Sequence, residues 1–364
     1  MYLQSRQLTA TESVYLDLFK VLMLIEVVLG HAVALCIPRY SELDLGSLSG
    51  IMFTVIRAMS GFGREAAFQF IFLSGFFTAI TLLNFGCKFD LIAVLAKRLR
   101  RLYPVLVLAL MVTALLDYLG AYLWHFPIYT TNGLNYSIHE HWEGKLLLFN
   151  LLSLQPTFSL TFGSNGPLWT LGYLIQFFML GSILRWLSGA NLILFVVLVI
   201  AALGITGPAL GWEPSLLFMI WIIGVFVRIA KVTPLSYLNI WALIGSSIFL
   251  LALARLSPVL ISILLTPLIG ACLIDLATRL SKNNLPLLST VIKQASQLSF
   301  AAYAVHMPVL FFWLGAIQSV IYTQELSGFT ISIFIFSSFF LVVLSAYGIQ
   351  LISTRFGGTA SHAK

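Results

Sequence analysis

Four ionisable side chains interrupt a long apolar stretch near the N-terminus, where Asp17, Lys20, Glu26 and His31 lie in the segment 15–37. On a helix, Lys20 and His31 lie about 20° apart around the axis and Asp17 lies about 60° from Lys20, so the three share one face. Glu26 lies about 140° from His31 and faces elsewhere. A polar group buried in hydrocarbon without a partner costs roughly 2–7 kcal/mol. We therefore predict that His31 does chemistry, while Asp17 and Lys20 either join it or extend to the membrane interface.

A basic cluster occupies residues 97–104, whose sequence is Lys-Arg-Leu-Arg-Arg-Leu-Tyr-Pro. Arg98 and Arg101 are three residues apart, so one helical face could present both guanidinium groups to phosphate. Basic residues beside an apolar segment also set its orientation in a membrane. The cluster predicts an anion site, a topological signal, or both.

Two weaker candidates lie further along the chain. Ser74 precedes Gly75 within a run of phenylalanines, a pattern typical of close helix packing. His306 lies about nine residues into the apolar segment 298–321, where a histidine either supports catalysis or fills a polar packing position. Cys36, Cys87 and Cys272 have no paired spacing, so we predict neither a disulfide framework nor a metal site.

The composition indicates that these residues lie in a lipid bilayer rather than in water. Hydrophobic residues make up 60% of the 364-residue chain and charged residues 9%, against about 25% charged in an ordinary soluble domain. A helix crosses the bilayer with about 20 apolar residues. The apolar segments are 15–37, 66–85, 102–124, 167–187, 192–206, 214–229, 238–254, 258–277, 298–321 and 329–352. We predict an all-α polytopic membrane protein, with about ten transmembrane helices in one bundle formed by a single domain, 1–364.

The charge pattern predicts an orientation. Basic residues concentrate in alternate connections, which is the positive-inside pattern and places both termini in the cytoplasm. The longest polar connection, about 125–165, then lies outside the cytoplasm; its stretch 145–154 is too short to span a bilayer. The N-terminal segment is interrupted by charges and lacks a convincing cleavage site, which favours a retained helix. Because the net charge of +7 lies in short connections, we predict no nucleic-acid partner.

Five stretches together resemble the acyltransferase 3 family of membrane proteins, and the match spans most of the chain. They are Asp17 followed by Lys20 and His31, the Ser-Gly-Phe of 74–76, the Arg-x-x-Arg and Tyr-Pro of 98–104, the Pro-Leu-Trp-Thr-Leu of 167–171, and the Ser-Phe to His-Met-Pro stretch of 299–308. One position departs from the family pattern. Many members carry a glutamate three residues after the Trp-Ser-Leu triplet, and Leu174 stands there in this sequence.

The resemblance implies an acyl-CoA-dependent O-acyltransferase of a bacterial-type inner membrane, with acyl-CoA, most simply acetyl-CoA, as co-substrate and no bound cofactor. It implies His31 and Asp17 in catalysis, Lys20, Arg98 and Arg101 at the phosphates of the donor, and supporting roles for Ser74, Trp169 and His306. The implied acceptor is a hydroxyl of a cell-surface polysaccharide or a lipid-linked saccharide precursor. Trp142, Trp169 and Tyr136 could stack on its sugar rings or anchor the membrane interface.

The residues leave several alternatives open. His31 could act as general base in a direct transfer, or carry the acyl group as a covalent intermediate. A transporter or flippase of an anionic or lipid-linked substrate could use Lys20 and His31 as a substrate or proton pathway. A scaffold without activity would leave both residues without a role. The oligomeric state is not indicated by the sequence.

Overall fold

The computed structural model describes residues 8–37, 48–83, 89–129, 138–189, 191–228, 238–282, 286–321 and 328–356, and every regular element in these ranges is helical. The α-helices are α1 (Ala10–Cys36), α2 (Leu48–Met59), α3 (Gly63–Leu82), α4 (Leu91–Asp117), α5 (Ile138–His141), α6 (Gly144–Leu151), α7 (Leu168–Leu187), α8 (Leu192–Leu210), α9 (Trp212–Val227), α10 (Ile240–Leu256), α11 (Val259–Leu280), α12 (Pro286–Ile321) and α13 (Gly328–Phe356). A π-helix (Tyr118–Leu123) extends α4, and a 3-10 turn (Pro127–Tyr129) follows it.

The helical polytopic architecture is confirmed. Eight helical stretches among the described residues are long and apolar enough to span a membrane, and α9 and α10 are shorter apolar helices. Each of the ten predicted segments coincides with one of these elements. The termini of the chain lie outside the described residues, so the predicted orientation in the membrane stays a prediction. Cys87 also lies outside the described residues.

The helices α4 and α12 begin well before their apolar segments 102–124 and 298–321. The helix α4 begins at Leu91, so the basic cluster 97–104 lies inside a helix rather than before one. Asp90 caps this start, because its carboxylate accepts a hydrogen bond from the Ala93 amide at 3.0 Å. Lysine and arginine have good helix propensity, so the charges do not end the helix.

The chain divides into two compact units. The first consists of Met1–Met23, Arg64–Leu99 and Tyr173–Ser296, and the second of Leu24–Gly63, Arg100–Gly172 and Gln297–Lys364. Each is described by itself below. The predicted single domain stays a prediction.

In the first unit, α3 and α9 approach so closely that their backbones touch. A Cβ atom on Gly75 would lie 1.9 Å from the Trp221 carbonyl oxygen, and one on Gly224 would lie 2.2 Å from the Phe72 carbonyl oxygen. The Trp221 side chain is fully buried. The close packing predicted for the Ser74-Gly75 step is therefore present, and it depends on glycine at two facing positions.

The second unit has a core of small and β-branched side chains. Buried alanines and valines of α4, α12 and α13 form it, among them Ala109, Ala301, Ala304 and Ala346. Small side chains let helices approach closely in a membrane, where packing replaces the hydrophobic effect as the driving force. The unit also holds Glu26, whose carboxylate accepts a hydrogen bond from the Phe62 amide at 2.8 Å.

The described parts of the 125–165 connection, 125–129 and 138–165, contain short helices. The longest helix in these parts, α6, has eight residues, too few to span a bilayer. The buried Asn150 side chain donates to the carbonyls of Leu146 and Leu160, both at 2.9 Å, and accepts the Phe162 amide. The His141 ring contacts the Thr161 carbonyl at 2.7 Å. These bonds join residues 141–150 of the connection to residues 160–162.

Candidate active site

Two histidines from α1 and α12 of the second unit meet in its interior. The ring centroids of His31 and His306 lie 5.2 Å apart, and their planes are tilted by 35°. His306 is fully buried, whereas His31 keeps some exposure. The structure thus brings together the two histidines that the sequence singled out, which are separated by most of the chain.

The orientation of His306 is fixed by its own helix. Its Nδ1 lies 2.7 Å from the carbonyl oxygen of Tyr303. A carbonyl only accepts hydrogen bonds, so Nδ1 carries the proton and Nε2 of the neutral ring is bare. Within the described residues, this buried Nε2 has no hydrogen-bond partner.

Tyr303, whose ring lies beside His306, makes a polar contact with the start of α7. The buried Tyr303 hydroxyl donates to Thr170 Oγ1 at 2.8 Å, and the rings of Tyr303 and His306 lie 5.4 Å apart. Thr170 is the fourth residue of the Pro-Leu-Trp-Thr-Leu stretch. Trp169, beside it, is half-buried. The two motifs around Trp169 and His306 are therefore in contact within this unit.

A proline in α12 creates a further contact. Pro308 has no amide proton, so the Ala304 carbonyl one turn earlier cannot make its helical hydrogen bond. Asn165 supplies the missing donor, because its Nδ2 lies 2.8 Å from that carbonyl and 2.9 Å from Thr113 Oγ1 on α4. Asn165 is fully buried. It therefore connects α12 to α4 at the turn 304–308, which contains His306.

A carboxylate anchors the residue before Asn165. Asp117, fully buried at the end of α4, accepts hydrogen bonds from the Ser164 amide at 2.7 Å and the Ser164 hydroxyl at 2.6 Å. The Tyr129 hydroxyl nearby donates to the Leu116 carbonyl at 3.5 Å. Burial and the Asp117 charge raise the pKa of Tyr129 well above its usual range, so its phenol stays protonated and donates.

In the first unit, Asp17 pairs with Lys20. The Lys20 Nζ lies 2.5 Å from Asp17 Oδ1, which also accepts a hydrogen bond from the Ser296 hydroxyl at 2.8 Å. The Lys20 Nζ lies 4.6 Å from the centroid of the Phe77 ring as well. Both side chains of the ion pair keep partial exposure. The shared helical face predicted for Asp17 and Lys20 is thus occupied by an ion pair.

Further cations of the first unit lie over aromatic rings. Arg98 lies 5.2 Å from the Phe178 centroid and the buried Arg228 lies 4.7 Å from the Phe76 centroid. Arg101, in the second unit, is exposed. Two phenylalanines after Ser74 therefore make cation–π contacts, Phe76 with Arg228 and Phe77 with Lys20.

Ser74 itself has a buried hydroxyl. Its Oγ has no hydrogen-bond partner among the described residues, while its carbonyl accepts the Thr78 hydroxyl at 2.7 Å.

Leu174, where the family pattern has a glutamate, is half-buried. Tyr136, one of the aromatic candidates, lies outside the described residues. Within the part of the chain that the structure describes, no three His, Cys, Asp or Glu side chains form a group that could hold a metal ion.

Sequence reasoning missed Asp117, Asn165 and Thr113. Asp117 carried a signal, because it is an acid within the apolar segment 102–124, and an ionisable residue inside a membrane helix is a functional candidate. Pro308 carried another, because a proline inside a helix frees a carbonyl that then needs a donor. The identity of that donor, Asn165, has no signal in the local sequence.

Comparison with known proteins agrees with these motifs. A family model described as an acyltransferase domain, of the acyltransferase 3 type, matches residues 13–350. Searches of curated proteins and of solved structures each returned no match.

Proposed function

The chain belongs to the acyltransferase 3 family, and from this premise we propose that it transfers an acyl group, most simply acetyl, from acyl-CoA to a hydroxyl. The proposed acceptor is a cell-surface polysaccharide or its lipid-linked precursor, and the proposed location is a bacterial-type inner membrane. The family establishes an acyl-transferring enzyme, and the apolar helices make it an integral membrane protein.

The observation that carries the mechanism is the position of His31 beside the buried His306, with ring centroids 5.2 Å apart. We assign His31 as general base. Its bare nitrogen takes the proton of the acceptor hydroxyl while the hydroxyl oxygen attacks the thioester carbonyl. The tetrahedral intermediate then expels the CoA thiolate, which takes the proton from His31. An ester and a thiol result, and the imidazole returns to its neutral form.

A covalent route uses the same residue. The His31 nitrogen attacks the thioester carbonyl first and expels the CoA thiolate, which leaves an acyl-imidazole. The acceptor hydroxyl then attacks the acyl carbon and expels the imidazole, and the hydroxyl proton goes to the CoA thiolate. This route suits a donor and an acceptor that reach the enzyme from opposite sides of the membrane. The two routes differ in one observable, because only the second forms an acylated protein in the absence of acceptor.

Donor binding is assigned to basic side chains. Arg98 and Arg101 lie one turn apart in α4, and guanidinium groups bind phosphate bidentately. Lys20 adds a third cation, although Asp17 already neutralises part of its charge at 2.5 Å. We therefore expect Arg98 and Arg101 to dominate the affinity for acyl-CoA. For Asp17 we propose an indirect contribution, through the position of Lys20.

Acceptor binding is assigned to the 125–165 connection. Tyr122, in the π-helix that precedes the connection, contacts Trp142 of the connection with ring centroids 5.8 Å apart, and its hydroxyl lies 3.1 Å from His139 Nδ1. Aromatic faces with polar groups at their edges suit the alternating apolar and hydroxyl surfaces of a sugar. The same aromatic side chains would also suit a membrane interface.

The test compares the purified full-length protein with His31→Ala and with His362→Ala, which removes a histidine outside the proposed donor and acceptor sites. Each form receives labelled acetyl-CoA and a panel of saccharides. We expect His31→Ala to lose about 10²–10⁴-fold in transfer rate and His362→Ala to match the wild type. Undiminished transfer by His31→Ala would refute the assignment of His31. If no form transferred acetyl groups while reconstituted vesicles moved a saccharide or lipid, a transporter would replace the enzyme.

A further inference from the structure

The bare nitrogen of His306 has no role in the mechanism described so far. The Tyr303 carbonyl at 2.7 Å places the ring proton on Nδ1 and leaves Nε2 as a buried lone pair without a partner among the described residues. The large majority of buried side-chain polar atoms have a hydrogen-bond partner, so an unpartnered one needs an explanation. The described residues of the second unit provide no donor to this lone pair in the present arrangement.

The His31 ring is at the distance from which it can donate. If a nitrogen of one imidazole lies about 3 Å from a nitrogen of the other, and each nitrogen lies about 1 Å from its own centroid, the centroids are about 5 Å apart. The observed separation is 5.2 Å. The two rings are tilted by 35°, and the hydrogen bond requires the half-buried His31 ring to turn so that an N–H points at Nε2. Hydrogen bonds of catalytic groups commonly tighten in this way when substrate binds.

We propose that His306 is a positioning residue that fixes the tautomer of His31. In this arrangement the Tyr303 carbonyl accepts from His306 Nδ1, His306 Nε2 accepts from the N–H of His31, and the remaining nitrogen of His31 is bare and faces the acceptor hydroxyl. The inference deepens the proposed function and rests on it. It follows the general pattern in which a catalytic base is oriented by a third group.

A neutral orienting group suits this location. A carboxylate in the same place would be a buried charge, which is strongly unfavourable unless it is paired. The imidazole of His306 offers the same acceptor lone pair without a net charge. When His31 takes the hydroxyl proton, the resulting imidazolium keeps its hydrogen bond to Nε2, and the proton leaves with the CoA thiolate. His306 keeps its single proton on Nδ1 throughout this scheme and stays neutral.

Two substitutions separate the two nitrogens of His306. His306→Asn keeps a donor near the Nδ1 position for the Tyr303 carbonyl but has no acceptor at the Nε2 position. His306→Gln places an amide oxygen near the Nε2 position and so retains the acceptor. Both replacements are polar, and equal thermal unfolding midpoints show that any difference between them is not a folding defect.

The first readout does not depend on activity. Nitrogen NMR of the full-length protein labelled at histidine distinguishes a protonated from a bare ring nitrogen, and His31→Ala identifies the His31 signals among those of the six histidines. We expect one His31 tautomer in the wild type and in His306→Gln, and a mixture in His306→Asn. A mixture in the wild type, or a single unchanged tautomer in His306→Asn, would overturn the proposal.

The second readout is transfer of labelled acetyl groups. We expect His306→Asn to lower kcat by about 10–100-fold, as the loss of an outer orienting partner does elsewhere, with the KM for acetyl-CoA unchanged, and His306→Gln to recover much of the loss. If the tautomer signals behave as expected but no form transfers acetyl groups, the proposed function fails and the orienting role of His306 stands. If transfer is normal in His306→Asn, the orienting role fails and the proposed function stands.

Discussion

Asn165 donates a hydrogen bond to the carbonyl of Ala304 at 2.8 Å, and that carbonyl is the one left without its helical donor by Pro308. The proline and the asparagine are therefore coupled, because one removes a donor and the other replaces it. His306 lies between Ala304 and Pro308 in the sequence. The contact thus stabilises α12 at the turn that carries a proposed positioning residue.

This coupling predicts a non-additive pair of substitutions. Asn165→Leu leaves the buried Ala304 carbonyl unsatisfied, and we expect it to destabilise the protein by about 1–3 kcal/mol. Pro308→Ala restores an amide at the position that normally bonds this carbonyl. In the Pro308→Ala background, Asn165→Leu is therefore expected to cost clearly less than in the wild type. Thermal unfolding of the four purified forms in one detergent measures the cycle.

The cycle has a defined negative outcome. Asn165 also donates to Thr113 Oγ1 at 2.9 Å, and Thr113→Val controls for that second bond. If Asn165→Leu costs the same with and without Pro308, the Ala304 carbonyl is not what Asn165 satisfies. The stability loss would then belong to the Thr113 contact or to the volume change.

Asp117 is expected to hold the segment before Asn165 in place. Its carboxylate accepts both the amide and the hydroxyl of Ser164, and hydrogen bonds to a charged group contribute about 1.5–3 kcal/mol each. Asp117→Leu leaves these donors buried and unpaired, so we expect a lower unfolding midpoint and faster proteolysis of the connection 125–165. Ser164→Ala, which removes only the hydroxyl, should lose a smaller part of the stability. Equal losses in the two variants would contradict this account.

Gly75 is expected to tolerate no side chain. A Cβ there would lie 1.9 Å from the backbone carbonyl of Trp221, which cannot move without shifting α9. Overpacking typically costs about 1–3 kcal/mol, and a clash with backbone belongs at or above the upper end. Gly245→Ala is the matched control, because nothing lies within 4 Å of the added atom and alanine favours a helix over glycine by about 1 kcal/mol. The yield of folded protein and the unfolding midpoint are measured for Gly75→Ala and Gly245→Ala. Equal values for the two variants would exclude the close approach of α3 to α9.

The helical architecture followed from the sequence because hydrocarbon thickness imposes a length and a composition on every crossing. The starts of α4 and α12 did not follow, since charged residues such as Arg98 continue a helix beyond the apolar core and hydropathy records only the core. The two histidines were predictable as candidates, but their contact with each other was not. His31 and His306 were each conspicuous as polar groups in apolar segments, but no periodicity relates residues so distant in the chain.

The remaining contacts depend on tertiary packing alone. Thr170 meets the Tyr303 hydroxyl at 2.8 Å and Asn165 meets the Ala304 carbonyl at 2.8 Å. Each partner is an ordinary residue in its own stretch of sequence, and only the fold makes it a donor or an acceptor at that place. The shared face of Asp17 and Lys20 was predictable from helical geometry. Their pairing with each other, and the position of Lys20 over Phe77, were not.

The proposed donor site predicts a change in KM rather than in kcat. Arg98 lies over the Phe178 ring at 5.2 Å, which restricts its guanidinium to one region. Arg98→Gln is expected to raise the KM for acetyl-CoA about ten-fold, because a hydrogen bond between charged groups is lost, and to leave kcat within about two-fold, because uniform binding is removed. Lys97→Gln removes the same charge from the adjacent, exposed residue and should change KM little. The assay measures initial transfer rates against acetyl-CoA concentration at two salt concentrations. An equal rise in KM for both variants would indicate a diffuse electrostatic effect of the basic cluster, whereas a fall in kcat for Arg98→Gln alone would move Arg98 from donor binding to the chemical step.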